Sequence, residues 1–352
     1  MSESLQSIQS WLNQFSHPLL IEEWASVQGV VTLDESSVTA TIEFPFKLNS
    51  LEQDLETWLI QNPLPQWETK ITSTCKALDS VVPSNLNQVK NVIAVTSAKG
   101  GVGKSTTAVN LALAIAQNGA KVGVLDADIY GPSIPLMFGS QGSQMEVVDG
   151  KWMQPIVALG VQTQSIGYLM GDDEATVWRG PMASKALAQL LQETQWRELD
   201  YLIIDMPPGT GDIQLTLAQQ IPLTAAIVVT TPQDVALADA SKGIAMFDKV
   251  EVPVLGIVEN MSYHICSNCG SKEHIFGTGG AAKLAQEKGA ALLGQIPLHV
   301  NVRQDVDQGF PSVLNPQSGE QASHYLELAE QVVSRLYWTG KPKPDTIQFV
   351  AV

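Results

Sequence analysis

Asn91-Val-Ile-Ala-Val-Thr96 runs into Ser97-Ala-Lys-Gly-Gly-Val-Gly-Lys-Ser-Thr106 and then into the helix-forming run 107–116. Strand, glycine-rich loop and helix in that order make the frame of a phosphate cradle. Gly100, Gly101 and Gly103 let backbone N–H groups turn inward, the helix start adds its positive dipole end, and Lys104 places a point charge at the β/γ oxygens. Ser105 is expected to ligate Mg²⁺, with Thr106 a further hydroxyl near the phosphates. The expected ATP-binding segment is therefore Ala98, Lys99, Gly100, Gly101, Val102, Gly103, Lys104, Ser105 and Thr106.

Outward from this loop, apolar runs recur at 121–125, 201–204, 225–230, 253–258 and 291–295, separated by helical segments such as 184–195, 233–247 and 281–288. Continuous apolar strands alternating with helices describe an α/β fold, a doubly wound and mostly parallel sheet, over residues 91–340. Upstream, residues 1–82 read as a small N-terminal α+β domain: a helix at 5–14, alternating runs at 29–33 and 37–44, and a helix at 50–60. The polar stretch 83–90 reads as a linker and 341–352 as a C-terminal tail.

The chain has 36 acidic and 20 basic residues and a formal charge of −16, the wrong field for gripping phosphate backbones, so nucleic acid is not expected as a partner. No basic segment followed by an apolar one opens the chain, and no window approaches 18 uninterrupted apolar residues. A cytoplasmic protein with no membrane partner is expected. Three cysteines, Cys75, Cys266 and Cys269, are too few for a disulfide framework and suit a reducing compartment.

Two strands end in acid. Residues 121–125 lead into Asp126-Ala-Asp128-Ile-Tyr-Gly-Pro-Ser133, and Tyr201-Leu-Ile-Ile-Asp205 leads into Met206-Pro-Pro-Gly-Thr-Gly-Asp212. Doubly wound sheets place their ligand crevice at the carboxyl ends of strands, so these carboxylates are expected to face the phosphates. There a carboxylate can orient water or hold Mg²⁺, and Asp205 is expected to reach the metal through water. Gly209 and Gly211 provide a hinge beyond it, which Pro207 and Pro208 restrict on one side.

Lys99 is not required by an ordinary phosphate loop. A lysine directly before the double glycine resembles the deviant Walker class, which includes the nitrogenase iron protein, arsenite-pump ATPases and the Min and Par ATPases. That resemblance implies a homodimer in which Lys99 crosses to the partner's nucleotide, and makes Lys99, Lys104 and Asp128 the catalytic set. Asp128 would position water and Asp126 would belong to the Mg²⁺ shell. Asn260 resembles the adenine-contacting Asn of the class, and the stretch after Pro297 its base-enclosing loop.

His264-Ile-Cys266-Ser-Asn-Cys269-Gly270 lies in what reads as a loop after a strand. Two thiolates can chelate one soft metal, whereas a tetrahedral zinc site or an iron–sulfur cluster takes four ligands. Either His264 and His274 complete a local zinc site, or two chains contribute one pair each across a two-fold axis, or the pair is a redox thiol couple. A redox pair normally opens a helix, which this context does not offer.

Together, Ser97–Thr106, Val124-Leu-Asp-Ala-Asp-Ile-Tyr-Gly-Pro-Ser-Ile-Pro135, Ile203-Ile-Asp-Met-Pro-Pro-Gly-Thr-Gly-Asp212 and Gly256-Ile-Val-Glu-Asn-Met-Ser-Tyr-His-Ile-Cys-Ser-Asn-Cys-Gly270 closely resemble the Mrp/ApbC family of iron–sulfur cluster carrier ATPases. The resemblance covers about residues 88–340. It implies a labile [4Fe–4S] cluster bridging two chains on Cys266 and Cys269, slow ATP hydrolysis, a cluster donor or scaffold, and apo-protein recipients. Two departures stand out. Phe44-Pro-Phe-Lys-Leu48 lacks the cysteine of the family's small-domain turn, and Ala98 replaces the usual Gly, which a negative φ would tolerate. Two rival readings are a spatial-organising ATPase of the Min/Par kind and a zinc-stabilised nucleotidase. The first fits poorly with the stretch 325–337, whose two glutamates and one arginine make no basic membrane face.

Overall fold

The computed structural model describes residues 3–64, 66–80, 86–169, 180–266 and 269–343. They form two compact units, residues 1–79 with 333–352, and residues 80–332. The expected linker at 83–90 and tail at 341–352 lie partly outside the described residues.

In the small unit, α1 (Glu3–Leu12), β1 (Val31–Asp34), β2 (Thr39–Phe44), α2 (Asn49–Gln61) and β3 (Glu68–Ser73) follow one another. The sheet order is β1-β2-β3, with β1 antiparallel and β3 parallel to β2. Leu12, Trp24, Ile42, Phe44, Phe46, Leu51 and Leu55 are its buried centre. The end of the chain's last helix belongs here: Trp338 packs edge-on against Phe46 with ring centroids 5.8 Å apart, and Ser334 Oγ donates to the Leu19 carbonyl. The sequence boundary at 340 thus falls later than the structural one at Val333, because an aromatic contact with residue 46 leaves no local signature.

The larger unit runs β4 (Val89–Thr96), α3 (Lys104–Gln117), β5 (Val122–Asp126), α4 (Ile134–Met137), β6 (Val147–Val148), β7 (Trp152–Met153), β8 (Ile156–Ala158), β9 (Val161–Ser165), α5 (Gly180–Gln192), β10 (Leu199–Asp205) and α6 (Asp212–Gln220). It continues through β11 (Ala225–Thr230), α7 (Asp234–Lys249), β12 (Val254–Ile265), β13 (Lys272–Glu273), α8 (Gly280–Lys288), β14 (Ala291–Leu298), α9 (Val300–Asp307) and α10 (Gly319–Thr339). The sheet order is β13-β12-β11-β4-β10-β5-β9-β8, with β14 also on β12. Strands β14, β12, β11, β4, β10, β5 and β9 pair in parallel, and β13 and β8 are antiparallel additions. The α/β, doubly wound and mostly parallel architecture is the one expected from the sequence.

Strands β5, β10 and β11 are buried at every position, as in a sheet covered on both faces. Helix α3 is buried continuously from Thr107 to Ile115, which its mostly Ala/Leu/Val/Ile composition allows, the polar Thr107 and Asn110 side chains bonding back to Gly103 O and Thr106 O. Chain order and spatial order part at β4, whose neighbours are β10 on one side and β11 on the other. That switch point opens a crevice at the carboxyl ends of the strands, where the loop after β4 lies.

Strand β9 escaped the sequence reading because Val-Gln-Thr-Gln-Ser carries no apolar run. Its side chains Thr163, Gln164 and Ser165 are buried and hydrogen-bonded. Thr163 Oγ1 donates to Ile156 O at 3.0 Å and Gln164 Nε2 to Thr194 Oγ1 at 2.8 Å.

Candidate functional site

The loop between β4 and α3 takes the conformation its glycines permit. Gly103 has φ +84°, and a Cβ there would sit 2.0 Å from Asn260 Nδ2, so no other residue fits without displacing that amide. Ala98 is absent from the residues with positive φ, so its methyl group is tolerated. Asn260, 6% exposed, donates from Nδ2 to the Val102 carbonyl at 2.9 Å. Its amide therefore braces the loop. Lys99 is exposed at the loop's shoulder, and its carbonyl accepts from Ser97 Oγ at 3.0 Å.

Lys104 and Asp205 form a buried ion pair. Nζ lies 2.5 Å from Asp205 Oδ1 and 3.1 Å from Ser105 Oγ, with Lys104 6% and Asp205 0% exposed. The other oxygen, Asp205 Oδ2, is buried without a hydrogen-bond partner. A buried carboxylate oxygen without a protein partner, next to a lysine that also bonds the Ser105 hydroxyl, fits a hydrated divalent cation, so Ser105 and Asp205 suit Mg²⁺.

Asp126 and Asp205 face each other as register partners on β5 and β10. Asp126 is fully buried, and its oxygens are occupied by the chain itself. Oδ1 accepts from Asp128 N at 3.1 Å. Oδ2 accepts from Ser133 N, Ile134 N and Ser165 Oγ at 3.0, 3.1 and 3.0 Å. Burial, and next the Asp205 charge, push its carboxyl up to about 7. Asp126 thus frames the turn into α4, leaving Asp128 as the accessible carboxylate of the pair. Burial raises Asp128 above the usual carboxylate range, opposed by the Lys104 charge. Replacing Asp126 by alanine strands three N–H donors and the Ser165 hydroxyl. Chemical denaturation is expected to read a loss of about 2–3 kcal/mol.

The segment after β10 is tied to the phosphate loop. Gly209, at φ +114°, donates its N–H to Ser97 O at 2.9 Å, and Met206 N donates to Val95 O at 3.0 Å. Gln214, 2% exposed on α6, donates from Nε2 to Thr96 Oγ1 at 3.1 Å and to Pro207 O. Gln214, Ser165 and Glu259 were missed by the sequence reading. Glu259 is fully buried and accepts from Ser262 Oγ, Ala281 N and Gln295 Nε2 at 2.6, 3.1 and 2.8 Å. A glutamate among the apolar residues of 253–258 and its asparagine neighbour was the available signal.

The strand that leads to the cysteine pair is longer than the apolar run 253–258. Strand β12 runs past Asn260 to Ile265, bends at Met261 (φ +54°), and pairs antiparallel with β13 through His264↔Glu273 and Ile265↔Lys272. Cys266 and Cys269 therefore sit at the tip of a β-hairpin, half-buried and exposed respectively, both free. Cys266 N donates to Ser271 O and Gly270 N to Cys266 O at 3.0 and 2.8 Å. The Ser271 hydroxyl and N–H, and then the Cys266 thiol, bond to the Cys269 sulfur and hold its thiol below the ordinary value, favouring thiolate. The local zinc site does not assemble: His274 Nδ1 lies 3.3 Å from Ser262 O, and among the described residues no three His, Cys, Asp or Glu side chains converge on a metal position. Nor, among the described residues, does a helix begin at the pair, as a redox couple would want. No described helix is long and apolar enough to cross a membrane.

A family model described as ParA, NUBPL iron-transfer P-loop NTPase, matches residues 88–333. The iron–sulfur cluster carrier protein of Salmonella typhimurium is 54% identical over 97% of this chain and 95% of its own length. The mouse iron–sulfur cluster transfer protein NUBPL is 50% identical over 70% of this chain and 78% of its own. Among solved structures, an ADP-bound nucleotide-binding protein from Archaeoglobus fulgidus is similar at TM-score 0.57 and 39% identity, over 64% of this chain and 88% of that one. The Pyrococcus furiosus cell-division ATPase MinD shares the fold at TM-score 0.52 and 20% identity, over 69% and 98%.

Proposed function

Since this chain belongs to the family of NUBPL-type iron-transfer P-loop NTPases, we propose that it is an ATP-dependent iron–sulfur cluster carrier, holding its cargo on Cys266 and Cys269 and handing it to apo-proteins. The observation that carries this reading is that one strand, β12, braces the phosphate loop through Asn260 and ends beside the thiol pair of half-buried Cys266 and exposed Cys269.

Two thiolates per chain leave a [4Fe–4S] cargo two ligands short. A second copy related by a two-fold axis supplies the missing pair, so the functional unit is a homodimer with one bridging cluster. Within each chain, Lys104 would leave Asp205 to meet the β/γ oxygens, and N–H groups of residues 100–106 would line the phosphates. Ser105 and the orphaned Asp205 Oδ2 would hold Mg²⁺, directly and through water. The metal supplies charge neutralisation on the phosphates. Asp126 passes out of the expected Mg²⁺ shell, because its oxygens hold the turn into α4. Asp128 is left to orient the hydrolytic water, and Lys99, exposed at the loop, reaches the partner's nucleotide. The Gly209 N–H bond to Ser97 O is the contact through which γ-phosphate loss would move the segment beyond Asp205. Hydrolysis is slow and coupled to transfer. Cytoplasmic placement, a cluster donor and apo-protein recipients complete the reading.

The test is anaerobic reconstitution with iron and sulfide, followed by mixing with an apo-dehydratase of the [4Fe–4S] type in the presence of an iron chelator. Activity is expected to return from the loaded protein and not from free iron and sulfide. Equal recovery from both would remove the carrier reading.

A further inference from the structure

We infer that Asn260 is a positioning residue that ties the phosphate loop to the cysteine hairpin, so that nucleotide occupancy resets the exposure of Cys266 and Cys269; the purpose of this link, though not its existence, rests on the carrier reading above. Asn260 and the loop touch without slack. Nδ2 bonds Val102 O at 2.9 Å and fills the space that a Cβ on Gly103 would need, so a shift of residues 102 and 103 around a phosphate acts directly on the Asn260 amide.

The backbone at this point is built as a projecting knuckle. Upstream, Glu259 is pinned by Ala281 N at 3.1 Å and Gln295 Nε2 at 2.8 Å. Downstream, Ser262 Oγ returns to the same carboxylate at 2.6 Å, which pinches the strand and pushes residues 260 and 261 toward the loop. Met261 is held at φ +54°, a conformation that L side chains rarely adopt, and the pairing of β12 with β14 shifts register between Asn260 and His264. Strain of this kind persists only while its surroundings enforce it. Withdrawing the Asn260 amide from Val102 removes one of those constraints. Cys266 lies six positions beyond Asn260, on the same strand continued through the Ile265↔Lys272 pair. A pivot at 260–261 therefore displaces the hairpin tip, whereas the cysteine arm has no comparable bond to the acid-tipped strands β5 and β10 among the described residues.

The experiment needs no cluster. Alkylation rates of Cys266 and Cys269 in the reduced, metal-free full chain are followed by peptide mass spectrometry with and without saturating Mg-ADP or a non-hydrolysable Mg-ATP analogue. In the wild type nucleotide is expected to change the rate about fivefold or more. Asn260→Asp keeps the shape but cannot donate to Val102 O, and Met261→Gly relaxes the strained backbone. Each is expected to reduce the nucleotide effect to less than about twofold at saturating nucleotide. A wild type insensitive to nucleotide, or full sensitivity kept in both variants, would overturn the link. Coupled alkylation in a protein that takes up no iron would leave the link standing and remove the carrier reading. Iron uptake without coupled alkylation would do the reverse.

Discussion

Replacing Cys266 and Cys269 together by alanine is expected to take the iron content of anaerobically reconstituted protein from about four per dimer to none, with nucleotide affinity unchanged. The hairpin tip carries the two proposed ligands. Cys75 is buried in the small unit, and the described histidines do not converge on the pair. Losing both thiols leaves a hairpin with no soft donor, and imidazole or carboxylate groups cannot substitute at that position. The hairpin should survive the change, because its pairing runs through backbone groups of His264, Ile265, Lys272 and Glu273. Iron and sulfide assays with absorbance near the charge-transfer band check the outcome, alongside mass in solution. Iron retained at the wild-type level in the double variant would place the cargo elsewhere. One zinc per chain in the wild type would replace the bridging cluster by a mononuclear site.

Lys104→Met carries the second large effect, acting on stability and on nucleotide at once. Its ammonium neutralises Asp205 in a site where both groups are buried, and Asp126 stands beside Asp205 as a second buried carboxyl. Removing one partner of a buried pair leaves a charge without compensation, which costs about 3–5 kcal/mol in unfolding free energy. The same substitution removes a charge-assisted contact to phosphate, worth about 1.5–3 kcal/mol or roughly 10- to 100-fold in affinity. The companion variant Lys104→Met/Asp205→Asn separates the two consequences. With the buried charge gone, urea unfolding is expected to return most of the lost stability, while titration calorimetry still finds weak nucleotide binding. Unchanged stability in Lys104→Met would overturn the buried-pair argument.

The parts of this site carried by short, contiguous spacing could be read directly from the chain. The loop of residues 97–106, the acids at the ends of β5 and β10, and the two cysteines three positions apart each state their chemistry in fewer than about a dozen residues. The parallel core was equally legible, since strands buried on both faces must be continuously apolar. Strand β9 was not, because its buried polar side chains are satisfied by partners that its own sequence does not mention. The same holds for the extension of β12 beyond Asn260, which reads as loop until β13 is there to pair with it.

What the spacing could not express is which atom each side chain spends its hydrogen bonds on. Lys104 meets an aspartate 101 residues away, and Asn260 meets a carbonyl 158 residues away. Asp126 and Asp205 come side by side only because β5 and β10 are neighbours in the sheet. Local backbone preferences extend over a few residues and cannot select among such partners. Packing selects them, because buried donors and acceptors must pair with whatever the topology brings within reach. Motif and spacing therefore identify the phosphate loop, the acid-tipped strands and the thiol pair. The folded sheet and its loops assign Asp126 to the turn, leave Asp205 Oδ2 unpaired, and tie Asn260 to the phosphate loop on the strand that leads to the cysteines.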